Sequence, residues 1–95
     1  MTNYEVMFII DPTLEEEKRE ATIEKVKTII AADGEVEKVD AWGMRKLAYP
    51  IEKKFEGYYV VMDFKASTEL PKELNRRLRI SDDVMRHIII NKDAK

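Results

Sequence analysis

Ninety-five residues, 44% apolar and 38% charged, suit one folded domain over residues 1–95 with a single two-layer core, and exclude a disordered chain. The lack of cysteine excludes disulfides, thiolate metal sites and thiol nucleophiles, and no apolar run approaches the roughly 18 residues that span a bilayer. The net charge of −2 speaks against a simple basic nucleic-acid binder, yet residues 1–40 hold 5 Lys/Arg against 11 Asp/Glu, while residues 41–95 hold 12 against 8. A polyanion would therefore meet a positive second half with the acidic first half turned away. The opening Met1-Thr2-Asn3-Tyr4-Glu5 lacks the basic flank of a secretory signal, and a cytoplasmic chain is expected.

Tyr4, Val6, Phe8 and Ile10 alternate with Glu5, Met7 and Ile9, which predicts a first strand buried on its even face. Asp11-Pro12-Thr13 breaks it, and Thr13 with Glu16 reads as a capping box for a helix. That helix presents Leu14, Ile23, Val26, Ile29 and Ile30 and stops at Asp33-Gly34. A second strand is predicted from Glu35 to about Tyr49, with Gly43 marking a bulge or close backbone approach. Residues 52–57 read as a polar loop closing a hairpin. Tyr58 to Ala66 reads as a third strand with Tyr58, Val60, Met62 and Phe64 on one face and Tyr59 on the other. Ser67 or Thr68 then caps a second helix with Pro71 in its first turn and Leu70, Leu74 and Leu78 four residues apart. Ser81-Asp82-Asp83 ends it, and Val84 to Asn91 forms the last strand, too apolar to reveal which face it buries.

The order β-α-β-β-α-β predicts an α+β, ferredoxin-like domain: a four-stranded antiparallel sheet with two helices on one face and the other face open. The distinctive segment is Trp42-Gly43-Met44-Arg45-Lys46-Leu47-Ala48-Tyr49-Pro50-Ile51, which joins an aromatic, a glycine, two adjacent cations and a proline-stiffened apolar run. No nucleophile, metal-ligand set or phosphate-cradling loop accompanies it, so no catalytic residue, metal or cofactor is expected. An acylphosphatase-like enzyme would need a glycine-rich turn and a fixed cation after the first strand, where the sequence has Asp11-Pro12-Thr13-Leu14. His87, the only histidine, has no carboxylate or serine at suggestive spacing. An RNA-recognition-motif-like stacking platform is excluded because the first strand offers only Glu5, Met7 and Ile9 beside Tyr59. A small-ligand regulatory domain that dimerises through its open sheet is a third reading, and a monomer is expected instead.

Tyr4-Glu5, the central Trp42-Gly43-x-Arg45-Lys46-Leu47-Ala48-Tyr49-Pro50-Ile51, and Leu78-Arg79-Ile80 followed by Val84-Met85-Arg86 together resemble the bacterial small-subunit ribosomal protein six family. The resemblance runs over essentially the entire chain. It implies the same fold and a structural role in the small ribosomal subunit, on the central domain of the small-subunit ribosomal RNA, as a heterodimer with small-subunit ribosomal protein eighteen. Many members carry a longer acidic tail; the sequence stops at Lys95 without one, so no activity of such a tail is expected.

Arg45 and Lys46, neighbours on an extended segment, point to opposite sides, and Lys53 and Lys54 follow in the loop as flexible point charges; all four are candidates for RNA contact. Arg79 and Arg86 flank the Ser81-Asp82-Asp83 turn and are expected to form a phosphate clamp, whereas Arg76 and Arg77 are accounted for by the helix dipole. Trp42, Met44, Leu47 and Tyr49 exceed what one edge strand needs for a core and are the candidate protein-partner surface.

Overall fold

Alternating apolar residues and two leucine- and isoleucine-faced helices produce the predicted element order. The computed structural model describes residues 1–51 and 53–93. β1 (Thr2–Ile10), α1 (Glu16–Ala31), β2 (Gly34–Ile51), β3 (Lys54–Ala66), α2 (Leu70–Ile80) and β4 (Val84–Asn91) follow one another along the chain. The strands form one sheet in the order β2-β3-β1-β4, antiparallel throughout. β1 and β3 are central, β2 and β4 are the edges, and both helices lie on one face.

The even positions of β1 and β3 build the core. Val6, Phe8, Ile10, Val60, Met62 and Phe64 are completely buried, and the Tyr4 and Phe64 rings stack with centroids 5.5 Å apart. Val26 and Ile30 from α1 and Leu70, Leu74 and Leu78 from α2 close the layer above them. Burial of such side chains is worth about 1.5–3 kcal/mol each, so this layer dominates the stability.

Both helix starts differ from expectation. α1 has Glu15 at its N-cap with no side-chain cap, because the Thr13 hydroxyl and amide are both taken by Asp11 Oδ1 at 2.7 and 2.9 Å in an Asx turn before the helix begins. α2 has Glu69 at its N-cap, again without a side-chain cap; the Ser67 hydroxyl is committed to Asp33, and Pro71 sits in the first turn as expected. Local hydrogen bonding outcompeted capping in both places.

The hairpin between β2 and β3 also differs from the predicted loop. The strands run on to Ile51 and resume at Lys54, so Phe55, Glu56 and Gly57 are strand residues; of that loop, Glu52 lies outside the described residues. Lys53 makes the turn with φ +66°. Of the two alternatives at Gly43, the bulge forms and the close approach does not: pairing skips from Ala41 opposite Val60 to Gly43 opposite Tyr59, Gly43 takes φ +86°, and nothing lies within 4 Å of its Cβ position.

Candidate partner and RNA interface

The open face of the sheet is read from the strand register. Arg86, Ile9, Tyr59 and Gly43 form one row from β4 to β2. Ile88, Met7, Val61 and Asp40 form the next, and Ile90, Glu5, Asp63 and Lys38 the third. Side chains on paired residues share a face, and those facing the helices are the intervening ones. The orientation of β4, undecided in sequence, is settled by this register. His87 and Ile89 turn toward the helices, with His87 Nε2 2.6 Å from Asn75 Oδ1 on α2, while Arg86, Ile88 and Ile90 face outward.

The bulge shapes the partner candidate. Trp42, two residues beyond Asp40, shares its open face and stacks on Tyr59, centroids 6.1 Å apart and planes within 3°, and the extra residue between Ala41 and Gly43 reverses the alternation beyond it, so Gly43 and Arg45 follow Trp42 onto that face. Asp40 accepts a hydrogen bond from Trp42 Nε1 at 3.3 Å and orients the indole. Beyond it, Leu47 and Tyr49 curl over the sheet. Gly57 permits this: a Cβ there would lie 2.2 Å from an Ile9 methyl and 3.6 Å from Leu47. Tyr49 reaches across to β4, where the Arg86 guanidinium sits 5.2 Å above its ring and hydrogen-bonds its hydroxyl. A cleft of about 220 Å³ lies beneath, walled by Met7, Ile9, Leu47, Tyr59 and Ile88. Trp42 remains 44% and Tyr49 53% exposed, two large aromatic rings side by side on the open face.

Met44 is not part of this surface. It pairs with Tyr58, whose side chain packs toward the helices beneath Arg19, so Met44 points away from Trp42 although it is exposed. Phe55, at 69% exposure, is an apolar surface residue that sequence reasoning folded into a polar loop. Its flanking charges hid it.

The cations separate into free and engaged groups. Arg45 pairs with Gly57 and Lys46 with Glu56, so the two point to opposite faces as expected, and both are exposed. Lys53 is exposed in the turn, but Lys54 is half-buried and ion-paired with Asp11. Burial works against ionisation of Asp11, yet its hydrogen bonds from Lys54 and Thr13 prevail and hold the carboxyl below its ordinary value. Lys54 is therefore a strut between the β1–α1 turn and β3, not a flexible point charge.

Arg79 and Arg86 do not form the expected clamp. The strand alternation that turns His87 to the helices sends Arg86 to the other side of the sheet, where Tyr49 holds it, whereas Arg79 stays on α2. Arg79 acts instead on His87: burial first and this guanidinium second push the imidazole below its usual pKa. On the same helix Arg76 and Arg77 converge on Glu73 Oε1 at 2.6 and 2.8 Å, and the Arg76 and Arg77 hydrogen bonds lower that carboxyl to about 2. Among the described residues no cluster of His, Cys, Asp and Glu is arranged to hold a metal, and no helix is long and apolar enough to cross a membrane.

Comparison with known proteins gives a concordant result. The family model described as "Ribosomal protein S6" matches residues 3–91. The chain is 50% identical over 90 residues to "Small ribosomal subunit protein bS6" of Clostridioides difficile strain 630, covering 95% of this chain and 98% of the relative. It is 55% identical over 94 residues to the protein of the same name from Carboxydothermus hydrogenoformans, covering 98% of each. Among solved structures it superposes on 30S ribosomal protein S6 of Thermotoga maritima with a TM-score of 0.91 and 39% identity, over 96% of this chain and 87% of that one.

Proposed function

Since the chain belongs to the ribosomal protein S6 family, we propose that it acts as half of a heterodimer, binding the central domain of the small-subunit ribosomal RNA together with small-subunit ribosomal protein eighteen. Family membership makes it a structural, non-enzymatic component of the small ribosomal subunit, and hence part of the ribosome. The heterodimer is the finer reading, and one observation carries it: the exposed Trp42–Tyr59 stack and the Tyr49 ring beside it, on a strand with one unpaired edge. Solvent-exposed aromatics next to free backbone donors and acceptors suit an added protein segment.

The mechanism is positional. Of the candidate cations, Arg45, Lys46, Lys53 and Arg79 are exposed and make no ion pair among the described residues, which leaves them available to phosphates, and they are spread over several elements instead of gathered in one basic groove. A net charge of −2 makes the chain a weak RNA ligand alone, and a cationic partner supplies the missing counter-charge. In isolation the chain is a monomer in this reading.

Binding of the purified chain to a central-domain RNA fragment, with and without ribosomal protein eighteen, tests it. Binding that needs the partner, shows a shallow salt slope for the isolated chain, and drops on Trp42→Ala or Arg79→Ala is expected. Tight partner-independent binding, or none in either condition, overturns it.

A further inference from the structure

On α2, Lys72, Asn75 and Arg79 recur at spacings of three and four and so share one stripe of the helix. On β4, His87 and Ile89 alternate with the outward Arg86, Ile88 and Ile90 and turn toward that helix. The two patterns meet where His87 Nε2 lies 2.6 Å from Asn75 Oδ1. β4 is an edge strand, so the start of α2 covers it from one side only, and a recess of about 390 Å³ opens between them. Tyr4, Pro71 and Ile89 make its apolar surfaces and Lys72, Asn75 and His87 polar ones; among the described residues no carboxylate lines it. Its size is that of a small-ligand site.

The polar groups of this recess are not all used. An amide oxygen can only accept, so His87 Nε2 donates, and the Asn75 Nδ2 donor and the His87 Nδ1 acceptor have no partner among the described residues. Burial first and Arg79 second hold the imidazole below its usual pKa, so near neutral pH it is a hydrogen-bonding group and not a charge. Charge is supplied on either side. Lys72 and Arg79 stand about 10 Å apart along the helix axis, with Asn75 between them. Arg79 makes no ion pair among the described residues, and the Lys72–Glu69 pair at 3.5 Å leaves both side chains 77% exposed, too loose to occupy the lysine.

We propose that the recess takes one unstacked nucleotide of a single RNA strand, its base against Pro71 and Ile89 with an edge on Asn75 and His87, and the phosphates before and after it on Lys72 and Arg79. Apolar walls beside an unused donor and acceptor fit the face and the edge of a base, a combination that contact with phosphates alone does not need. Two cations bracketing the recess select a strand over a free mononucleotide, whose single phosphate group engages one of them. The site lies on the helix side of β4, on the opposite face of the sheet from the Trp42–Tyr59 stack, so RNA and a protein partner can be held at once.

This inference rests on the reading of the chain as an RNA-binding protein, and the two fail differently. Affinity of the heterodimer with ribosomal protein eighteen for the central-domain RNA fragment is measured at several salt concentrations for the unaltered chain, Asn75→Ala, Lys72→Ala and the control Glu17→Gln on the exposed surface of α1. Asn75→Ala is expected to weaken binding about fivefold or more at an unchanged salt slope, since an amide displaces no counterion. Lys72→Ala is expected to weaken it and to reduce the slope by about 0.7, the loss of one single-strand phosphate contact. Both leave affinity for the partner protein as it was, and Glu17→Gln changes nothing. The isolated chain is then titrated by NMR with pentaadenylate, with the same strand lacking its bases, and with AMP. The Asn75 side-chain amide and His87 ring signals should move most with pentaadenylate, weakly with AMP and not with the baseless strand. Equal movement with the baseless strand overturns the base recess, and AMP binding as tightly as the pentamer overturns the choice of a strand. Unchanged RNA affinity for both Asn75→Ala and Lys72→Ala overturns the recess and leaves the ribosomal RNA reading standing. No binding by the unaltered heterodimer overturns both.

Discussion

Arg86 on β4 and Tyr49 at the far end of β2 are 37 positions apart and meet across the open face, guanidinium over ring. Strands β3 and β1 separate their own strands, so the contact is made by an arm bending over the sheet and not by strand pairing. It ties the outer end of the partner surface to the opposite edge.

Removing that tie should loosen the arm without unfolding the domain. Arg86→Ala is expected to cost about 0.5–1 kcal/mol, the scale of an exposed cation–π contact, and to raise amide exchange at Leu47 to Tyr49 while the core amides of β1 and β3 stay protected. Equal exchange in the two proteins would show that the arm is held by its apolar contacts alone.

The leucine ladder of α2 is a stronger lever. Leu74 is completely buried between α2 and the sheet. Leu74→Ala should lower unfolding stability by about 2–5 kcal/mol, read from urea denaturation at an unchanged slope. A loss under about 1 kcal/mol would mean that the two-layer core closes up around the cavity.

Gly34 opens β2 against β3 so closely that a Cβ would stand 2.1 Å from the Lys65 carbonyl oxygen and 2.9 Å from the Ala66 Cβ. Backbone cannot yield cheaply, so Gly34→Ala should destabilise by about 1–3 kcal/mol. Thermal unfolding of this variant beside Gly43→Ala separates two causes: Gly43 has open space around its Cβ position and pays only for its positive φ. A Gly34→Ala melting point equal to the parent's would contradict the close approach.

Acid should unlatch the hairpin tip. Burial opposes the Asp11 charge, but Lys54 and Thr13 hold its folded pKa below the ordinary value, so the unfolded chain binds the proton more readily. The stabilisation is complete above the unfolded carboxyl's pKa of about 3.9 and is lost as pH falls through the lower folded value. Glu73, held at about 2 by Arg76 and Arg77, adds in the same direction. Asp11→Asn should therefore be less stable than the parent at pH 7 and fall less steeply below pH 4; parallel stability curves would refute the strut.

Legibility followed the range of the interactions. The even-face alternation of β1, the Tyr58-to-Phe64 face of β3 and the leucines of α2 are patterns of period 2 or about 3.6, and burial follows such periods directly. The helix caps were misread because Thr13 and Ser67 had competing partners, Asp11 next door and Asp33 across the fold. The clamp was misread because two residues near each other in sequence, Arg79 and Arg86, are divided by a sheet one residue thick. Exposed Phe55 sat among charges that imitate a loop.

The sequence by itself determined the element order, the faces of the core strands and helices, an irregularity at Gly43 and the family, since each rests on local periodicity, backbone stereochemistry or a contiguous motif. Tertiary structure alone decided which face β4 turns outward, that Lys54 and Arg86 are engaged, and that Tyr4 and His87 share one recess. Those facts depend on register between strands distant in sequence, and on a one-residue bulge that reverses every side chain beyond it.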